Sequence, residues 1–390
     1  MLTRRRFLSS GVAIGGSLST RPMASALLIG YSHQVWDSPK TTSGPITGDG
    51  SLRAHAQRQG LLAGAAVDVR LLNSDEVYAR VLGEQYDILV AESAMKWKAL
   101  RPAPDRYSFT DGDALVAFAE RHNIRVRGHN FVWHEALPDW FASTVTKENA
   151  QQFLVDHIMT VGEHYKGKIQ SWDVVNEAVL PKDGRSDGLR KSPWMDLLGP
   201  DYIDIAFRTA RQADSHALLT YNEYGVEYDN DEDQERRAAT LKLLRRMKAA
   251  NVPLDAVGIQ SHIKAGQSSK FGNGLRNFMA SVREMGLQIY ITELDVNEDD
   301  LSFDDVSRRD DAIAGVYREY LREVLAESAV KAVLTWGVSD KHTWLNSGPT
   351  HKRKQPNRPQ RSLPFDDDYR PTDSFFAIRD SFDARTSEKA

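Results

Sequence analysis

Cysteine is absent from this 390-residue chain, so disulfide staples, thiolate metal sites and thiol nucleophiles are all excluded. Nor does any apolar run have the length of a membrane span. Basic residues form no long tract and the net charge is −4, which leaves sequence-independent nucleic-acid binding with little electrostatic support. No internal repeat and no interdomain linker is visible. What is there suits a globular fold with a large core: 41% hydrophobic and 27% charged residues, on a chain long for one domain but within the range of an α/β barrel.

The N-terminus has its own signature. Thr3-Arg4-Arg5-Arg6-Phe7-Leu8 leads into a weakly apolar, Gly- and Ser-rich stretch over 8–18, and Ala24-Ser25-Ala26 offers a small-residue cleavage site. This order resembles a twin-arginine export signal, which carries proteins already folded. Residues 1–26 are therefore expected to be a signal peptide read by the twin-arginine export machinery, making the mature protein periplasmic or secreted. The other reading is a disordered basic tail on a cytoplasmic protein. An irregular segment is expected over 27–50, with Pro39, Gly44, Pro45, Gly48 and Gly50, and a single domain over 51–384 that begins with a helix-like segment capped by Ser51.

From there short apolar runs alternate with longer amphipathic ones. The apolar runs cover 60–68, 87–93, 124–132, 169–177, 218–223, 256–263, 288–296 and 332–340. Their mixture of β-branched and apolar residues is that of parallel strands covered on both faces. Helical periodicity is found at 111–122, 147–165, 201–215, 232–250, 275–285 and 304–328, among others. Eight strands alternating with helices predict a closed (β/α)8 TIM barrel.

In such barrels chemistry sits at the C-terminal ends of the strands, and here polar and aromatic residues collect there. The runs end in or near Glu92 and Lys96, in His129 and Trp133, in Asn176 and Glu177, in Gln260 and His262, in Glu293 and Asp295, and in Trp336 with Trp344 beyond. Two carboxylates, Glu177 and Glu293, stand far apart in sequence, and only a closed fold brings them together. A pair facing each other across a sugar is what glycosidic-bond cleavage needs, one as proton donor and one as nucleophile or base. Residues two apart on a strand share a face, which predicts a Glu293–His262–Asp295 arrangement that keeps Glu293 ionised and oriented. Glu177, among apolar and aromatic groups, is expected to hold its proton as the general acid.

Six motifs in order, Glu92-Ser93-Ala94-Met95-Lys96-Trp97, Arg127-Gly128-His129 with Val132-Trp133-His134, Trp172-Asp173-Val174-Val175-Asn176-Glu177, Gln260-Ser261-His262, Ile291-Thr292-Glu293-Leu294-Asp295, and Trp336-Gly337-Val338 with Asp340 and Trp344, resemble glycoside hydrolase family 10, the retaining endo-β-1,4-xylanases. The resemblance runs over roughly 52–378. It implies Glu177 as acid/base and Glu293 as nucleophile supported by His262 and Asp295, with Gln260 near the acid/base. It further implies Asn176 and His129 on hydroxyls of the sugar at the cleavage point, Trp133, Trp336 and Trp344 lining that sugar's pocket, and Glu92 and Lys96 on the next sugar toward the non-reducing end. Trp97 and Trp172 read more readily as core. The implied partner is the polysaccharide xylan, with no metal or other cofactor, and nothing demands more than a monomer. Double displacement by such a pair predicts a carboxyl separation of about 5–5.5 Å.

Two positions depart from the family pattern. Ser93 stands where Asn is usual, and Ala136 where Gln is usual; both normally donate hydrogen bonds on the glycone side. Alternatives remain at this stage: the same chemistry on cellulose, β-glucan or short xylo-oligosaccharides, a sugar-binding barrel with little activity, or a metal-dependent hydrolase built on His129, His134, His262, Glu177 and Asp295. Finally, 351–361 holds five Lys or Arg and two Pro. It reads as a solvated loop, or as a surface that attracts uronic-acid substituents of the substrate.

Overall fold

The computed structural model describes residues 44–266, 270–347 and 354–385; the expected signal peptide, 1–26, and most of the irregular segment after it lie outside these. Among the described residues nine strands form: β1 (Leu62–Val67), β2 (Ile88–Ala91), β3 (Arg125–Val132), β4 (Ser171–Asn176), β5 (Leu218–Glu223), β6 (Ala256–Ile259), β7 (His262–Lys264), β8 (Gln288–Asn297) and β9 (Val330–Thr335). Every pairing between these strands is parallel. The ladder runs from β1 through β6, passes to β8 and β9, and returns to β1, so eight strands close a barrel. The short β7 extends beyond β6 and pairs His262 with Asp295 on β8.

Helices cover the outside at Thr110–Arg121, Ala150–His164, Asp201–Ala213, Asp231–Ala249, Asn273–Glu284 and Val306–Leu325, close to the segments that sequence periodicity marks. Two more, Glu76–Gln85 and Asp373–Asp383, complete the layer. Some helix starts follow capping chemistry: the Ser51 hydroxyl, ahead of the helix Leu52–Arg58, accepts from the Ala54 amide at 3.2 Å, and Asp75, ahead of Glu76–Gln85, accepts from Val77 at 3.1 Å and Tyr78 at 3.0 Å. Each such cap satisfies amides that the helix itself leaves open. Among the described residues no helix is long and apolar enough to cross a membrane.

The core has two compartments. One lies between strands and helices, where Leu154, Ile158, Phe207, Leu244, Ile313 and Leu321 are buried against the outward faces of the strands. The other is the barrel interior, with Ala66, Ile88, Val90, Tyr290, Ala332 and Leu334 closed over by Trp336. A buried ion pair, Arg127–Asp173, also belongs to this region, and both side chains are 1% exposed. Removing one partner would strand the other charge, at a cost of about 3–5 kcal/mol.

Two boundaries differ most from the sequence pattern. β9 ends at Thr335 rather than 340, because Gly337 turns the chain at φ +123° and the Thr335 hydroxyl donates to the Gly337 carbonyl at 2.7 Å. The run over 256–263 is split in two, since Ser261 takes φ +68° between β6 and β7.

Candidate active site

The C-terminal ends of β3 to β6 and of β8 hold the densest polar network. At its centre is Glu293, 5% exposed. Its Oε1 accepts from Asn222 Nδ2 at 2.8 Å, and its Oε2 lies 3.3 Å from His262 Nε2. The other ring nitrogen of His262 meets Asp295 Oδ1 at 3.0 Å, and Asp295 Oδ2 accepts the Trp344 indole N–H at 2.7 Å. An imidazole between two carboxylates gains most as a cation. Although burial opposes it, the charge and hydrogen bond of Asp295, with those of Glu293, raise the His262 pKa well above the ordinary histidine value. Burial likewise pushes Glu293 up, but the His262 hydrogen bond and the positive charges of His129, His262 and Lys96 outweigh it and bring Glu293 down to about 2.

Glu177 follows β4 directly. Its backbone is left-handed, φ +57°, a conformation that costs a non-glycine residue about 1–3 kcal/mol and persists where neighbours fix it. Its amide donates to the Asn222 carbonyl at 2.9 Å, and its own carbonyl accepts from Arg190 Nε at 2.7 Å. Carboxyl Oε1 accepts from Gln260 Nε2 at 3.0 Å and Asn176 Nδ2 at 3.2 Å. Oε2 is 3.9 Å from both His134 Nδ1 and Arg190 Nη2. These surroundings differ from the apolar setting that the sequence suggests: a loop from 178 to 190 folds back and delivers a guanidinium, which strand patterns do not register.

Asn222 Nδ2 also donates to Asn176 Oδ1 at 2.9 Å. A continuous chain of hydrogen bonds therefore links Glu177, Asn176, Asn222 and Glu293. Gln260 joins it as donor to both Asn176 and Glu177. Each amide in this chain is oriented by an oxygen it must serve, so the two carboxylates are held in fixed relation without touching.

His129 is 2% exposed. Its Nδ1 meets Asp173 Oδ2 at 2.9 Å, the same carboxylate that binds Arg127, which leaves Nε2 to face Asn130 Nδ2 at 3.2 Å. Its ring packs edge-on against Trp336 at 5.4 Å and lies 6.4 Å from Trp133. Lys96 Nζ sits 4.8 Å above Trp133 and 5.9 Å from Trp336. Burial lowers the Lys96 pKa, opposed by the charges of Glu293, Glu92 and Glu177. Trp344 completes the wall, with its ring 5.2 Å from His262. Glu92 lies farther along the cleft, in a hollow of about 290 Å³ shared with Asp68, Arg70, Ser93 and Asp111. Burial and then Asp68 push its carboxyl up to about 7, against Lys96 and Arg70. Trp97 and Trp172 are 2% and 1% exposed and belong to the core.

The basic segment 351–361 is described from Lys354 onward. Lys354 pairs with Asp300, Arg358 with Asp304 at 3.2 Å, and Arg361 with Asp310. Arg358 also donates to the carbonyls of Glu298, Leu301 and Phe303. These cations are spent on the acidic segment after β8, and the strap they form meets Asn346, two residues past Trp344, through the Gln360 amide at 2.8 Å. Among the described residues of this loop, the charges serve the fold.

Three contributors went unassigned in the sequence reading. Asn222 had a signal, a polar residue at the C-terminal end of β5. Asp173 had a weaker one, two residues from the opposite end of β4. Arg190 had none, because its approach depends on the loop that carries it. Glu223, next to Asn222, is 1% exposed; burial pushes it up to about 7 against Arg236 and the Tyr221 hydroxyl, the latter donating at 2.5 Å.

Comparison with known proteins fits this geometry. The chain is 34% identical over 335 residues to endo-1,4-beta-xylanase A of Thermoanaerobacterium saccharolyticum, and 34% identical over 334 residues to exoglucanase XynX of Acetivibrio thermocellus. Each match covers 81% of this chain but only 26% and 28% of those relatives, so the chain spans about a quarter of their length. The crystal structure of xylanase 10B from Thermotoga petrophila in complex with xylobiose superposes with a TM-score of 0.76 at 34% identity, over 85% of this chain and 97% of that one. The model of glycosyl hydrolase family 10 matches residues 51–381, nearly the whole barrel, and the chain belongs to that family.

Proposed function

We propose that this protein is a retaining endo-1,4-β-xylanase that works by double displacement. The observation that carries the reading is the state of Glu293: buried, yet held ionised by the His262–Asp295 pair and tied through Asn222 and Asn176 to Glu177. A carboxylate so fixed is a nucleophile with no proton to lose. Protonated Glu177 gives its proton to the glycosidic oxygen as Glu293 attacks the anomeric carbon; the bond to the leaving sugar breaks and an ester to Glu293 forms. Water then attacks that carbon, Glu177 takes the water's proton, and the ester opens with the original configuration restored. His129 and Asn176 bind hydroxyls of the reacting sugar, Trp133, Trp336 and Trp344 cover its C–H faces, and Glu92 and Lys96 hold its neighbour.

Xylan is the substrate best supported by the relatives, of which one solved structure carries xylobiose and several curated proteins are endo-1,4-beta-xylanases. The exoglucanase relative keeps cellulose in view; room for a hydroxymethyl group beside Lys96, Trp336 and Trp344 decides between them. Purified protein and Glu293→Ala, incubated in parallel with xylan and cellulose and resolved by chromatography, separate the cases. Xylo-oligosaccharides from xylan alone, abolished by the substitution, support the reading; cello-oligosaccharides or unchanged products in Glu293→Ala overturn it. Export by the twin-arginine route rests on the residue order in 1–26. Its test is the N-terminus of the protein recovered outside the cytoplasm, which should begin just after Ala26.

A further inference from the structure

We propose that Arg190 is a positioning residue for the acid/base: through one guanidinium it fixes the left-handed backbone of Glu177 and sets the only full positive charge within 4 Å of that carboxylate among the described residues. This rests on the reading of Glu177 as proton donor.

Arg190 is 8% exposed and reaches Glu177 from thirteen residues downstream. It is brought back by a short antiparallel ribbon, in which Val179 bridges Leu189 and the Arg190 amide donates to the Ala178 carbonyl at 2.7 Å. Its Nε donates to the Glu177 carbonyl at 2.7 Å, and its Nη2 donates to the Tyr224 hydroxyl at 3.0 Å while standing 3.9 Å from Glu177 Oε2. The planar fork therefore has one arm on the backbone of the acid, and the other between its carboxyl and Tyr224. A left-handed residue at the end of a strand can relax toward the strand conformation unless both its amide and its carbonyl are held. The Asn222 carbonyl holds the amide; Arg190 holds the carbonyl.

The second group facing Oε2, His134, does not share this role. Burial, then the Arg190 charge, bring it down to about 4, so near neutral pH it faces Glu177 uncharged. Lysine at position 190 would keep the charge but lose the fork geometry, because an ammonium is a point donor.

The test compares two substrates whose demand for the acid differs. Xylotetraose has a sugar leaving group that must be protonated; a dinitrophenyl xylobioside has one that departs without help. General acid catalysis contributes about 10²–10⁴-fold where it is needed. Arg190→Gln should lower kcat/KM on xylotetraose by about tenfold or more, and on the aryl substrate by less than about threefold, with Arg190→Lys between wild type and Arg190→Gln. Equal losses on both substrates, or no loss, would overturn the inference. Glu177→Gln is run beside it: absence of the split there refutes the acid/base reading itself, whereas a split there with none in Arg190→Gln refutes Arg190 alone. Should Arg190→Gln fail to fold, Tyr224→Phe removes the hydroxyl that anchors the fork; a smaller split in the same direction supports the inference and an unchanged ratio overturns it.

Discussion

Gly258 and Asn222 fit so closely that a Cβ on the glycine would stand 2.0 Å from Asn222 Oδ1. That oxygen accepts from the Thr292 hydroxyl at 2.8 Å, and the amide nitrogen on the same side chain donates to Asn176 and Glu293. A residue without a side chain on β6 is thus a condition for the amide that links the two carboxylates. Gly258 has ordinary backbone angles, so the requirement is one of space.

From this follows the effect of Gly258→Ala. The methyl group must displace Asn222, and overpacking of this kind costs about 1–3 kcal/mol of stability. Hydrogen bonds to charged groups are worth about 1.5–3 kcal/mol each, so losing the Glu293 contact should lower kcat by roughly tenfold to a hundredfold. Asn222→Ala should lower kcat comparably with a smaller change in melting temperature. Steady-state kinetics with thermal unfolding checks both; a Gly258→Ala enzyme with wild-type kcat would show that Asn222 is not held as described.

The glycone side gives a gain-of-affinity prediction. Ser93 is exposed beside Glu92 in the hollow with Asp68, Arg70 and Asp111, and Ala136 is already left-handed at φ +52°, so a longer side chain there adds no new backbone strain. One recovered hydrogen bond is worth about 0.5–1.5 kcal/mol. Ser93→Asn and Ala136→Gln should each lower KM for xylo-oligosaccharides by about twofold to tenfold with kcat little changed. Initial-rate measurements on xylotetraose decide it; an unchanged KM in both would show that these positions do not contact substrate.

How much of this was legible in the sequence depended on distance along the chain. Strand ends could be read because apolar runs stop there and polar residues begin, which marks Glu92, His129, Glu177, Gln260 and Glu293. The pairing of His262 with Glu293 and Asp295 could be anticipated from strand period, even though Ser261 breaks the strand between Gln260 and His262. The surroundings of Glu177 could not. His134 and Arg190 reach it from a loop beyond β3 and a ribbon beyond β4, and no local period encodes where a loop returns. The partners of the basic strap were hidden in the same way: its charge was visible, but not that Asp300, Asp304 and Asp310 would answer Lys354, Arg358 and Arg361.

A buried histidine away from the cleft adds to the acid sensitivity of the fold. His157 is fully buried and stacked on Trp97 at 3.8 Å, and neither ring nitrogen has a hydrogen-bond partner among the described residues. Burial, with the nearby Arg101 charge, holds its pKa well below the ordinary value. The unfolded chain therefore binds a proton near pH 6.5 that the folded protein refuses, and stability falls as pH drops below that value, by about 1.4 kcal/mol per unit for this one group. His157→Phe keeps the ring and removes the titration. Its melting temperature should decline less steeply than that of the wild type between about pH 6.5 and 4.5; parallel curves would refute the assignment.

His262 supplies the complementary pH argument. Glu293, brought down to about 2 despite burial, contributes stability above the unfolded carboxylate value, about 4.3, and loses it as pH falls through about 2. His262, raised well above the ordinary value, contributes below about 6.5 and loses that contribution only as pH rises through its higher folded value. Both contributions are therefore complete between roughly pH 4.3 and 6.5, and His262→Gln should destabilise most in that window. Activity moves in the same sense. Without the His262 hydrogen bond and charge, burial pushes Glu293 up with His129, Lys96 and the Asn222 hydrogen bond left to oppose it, so the nucleophile becomes protonated at a higher pH. The acid limb of kcat/KM on xylotetraose should shift upward in His262→Gln while the alkaline limb stays in place. Because the protonation state of a nucleophile acts on the reactive fraction of enzyme, the shift must also appear with an aryl xylobioside, whose departure needs no acid. An acid limb that stays put on both substrates would mean that His262 orients Glu293 without controlling its charge.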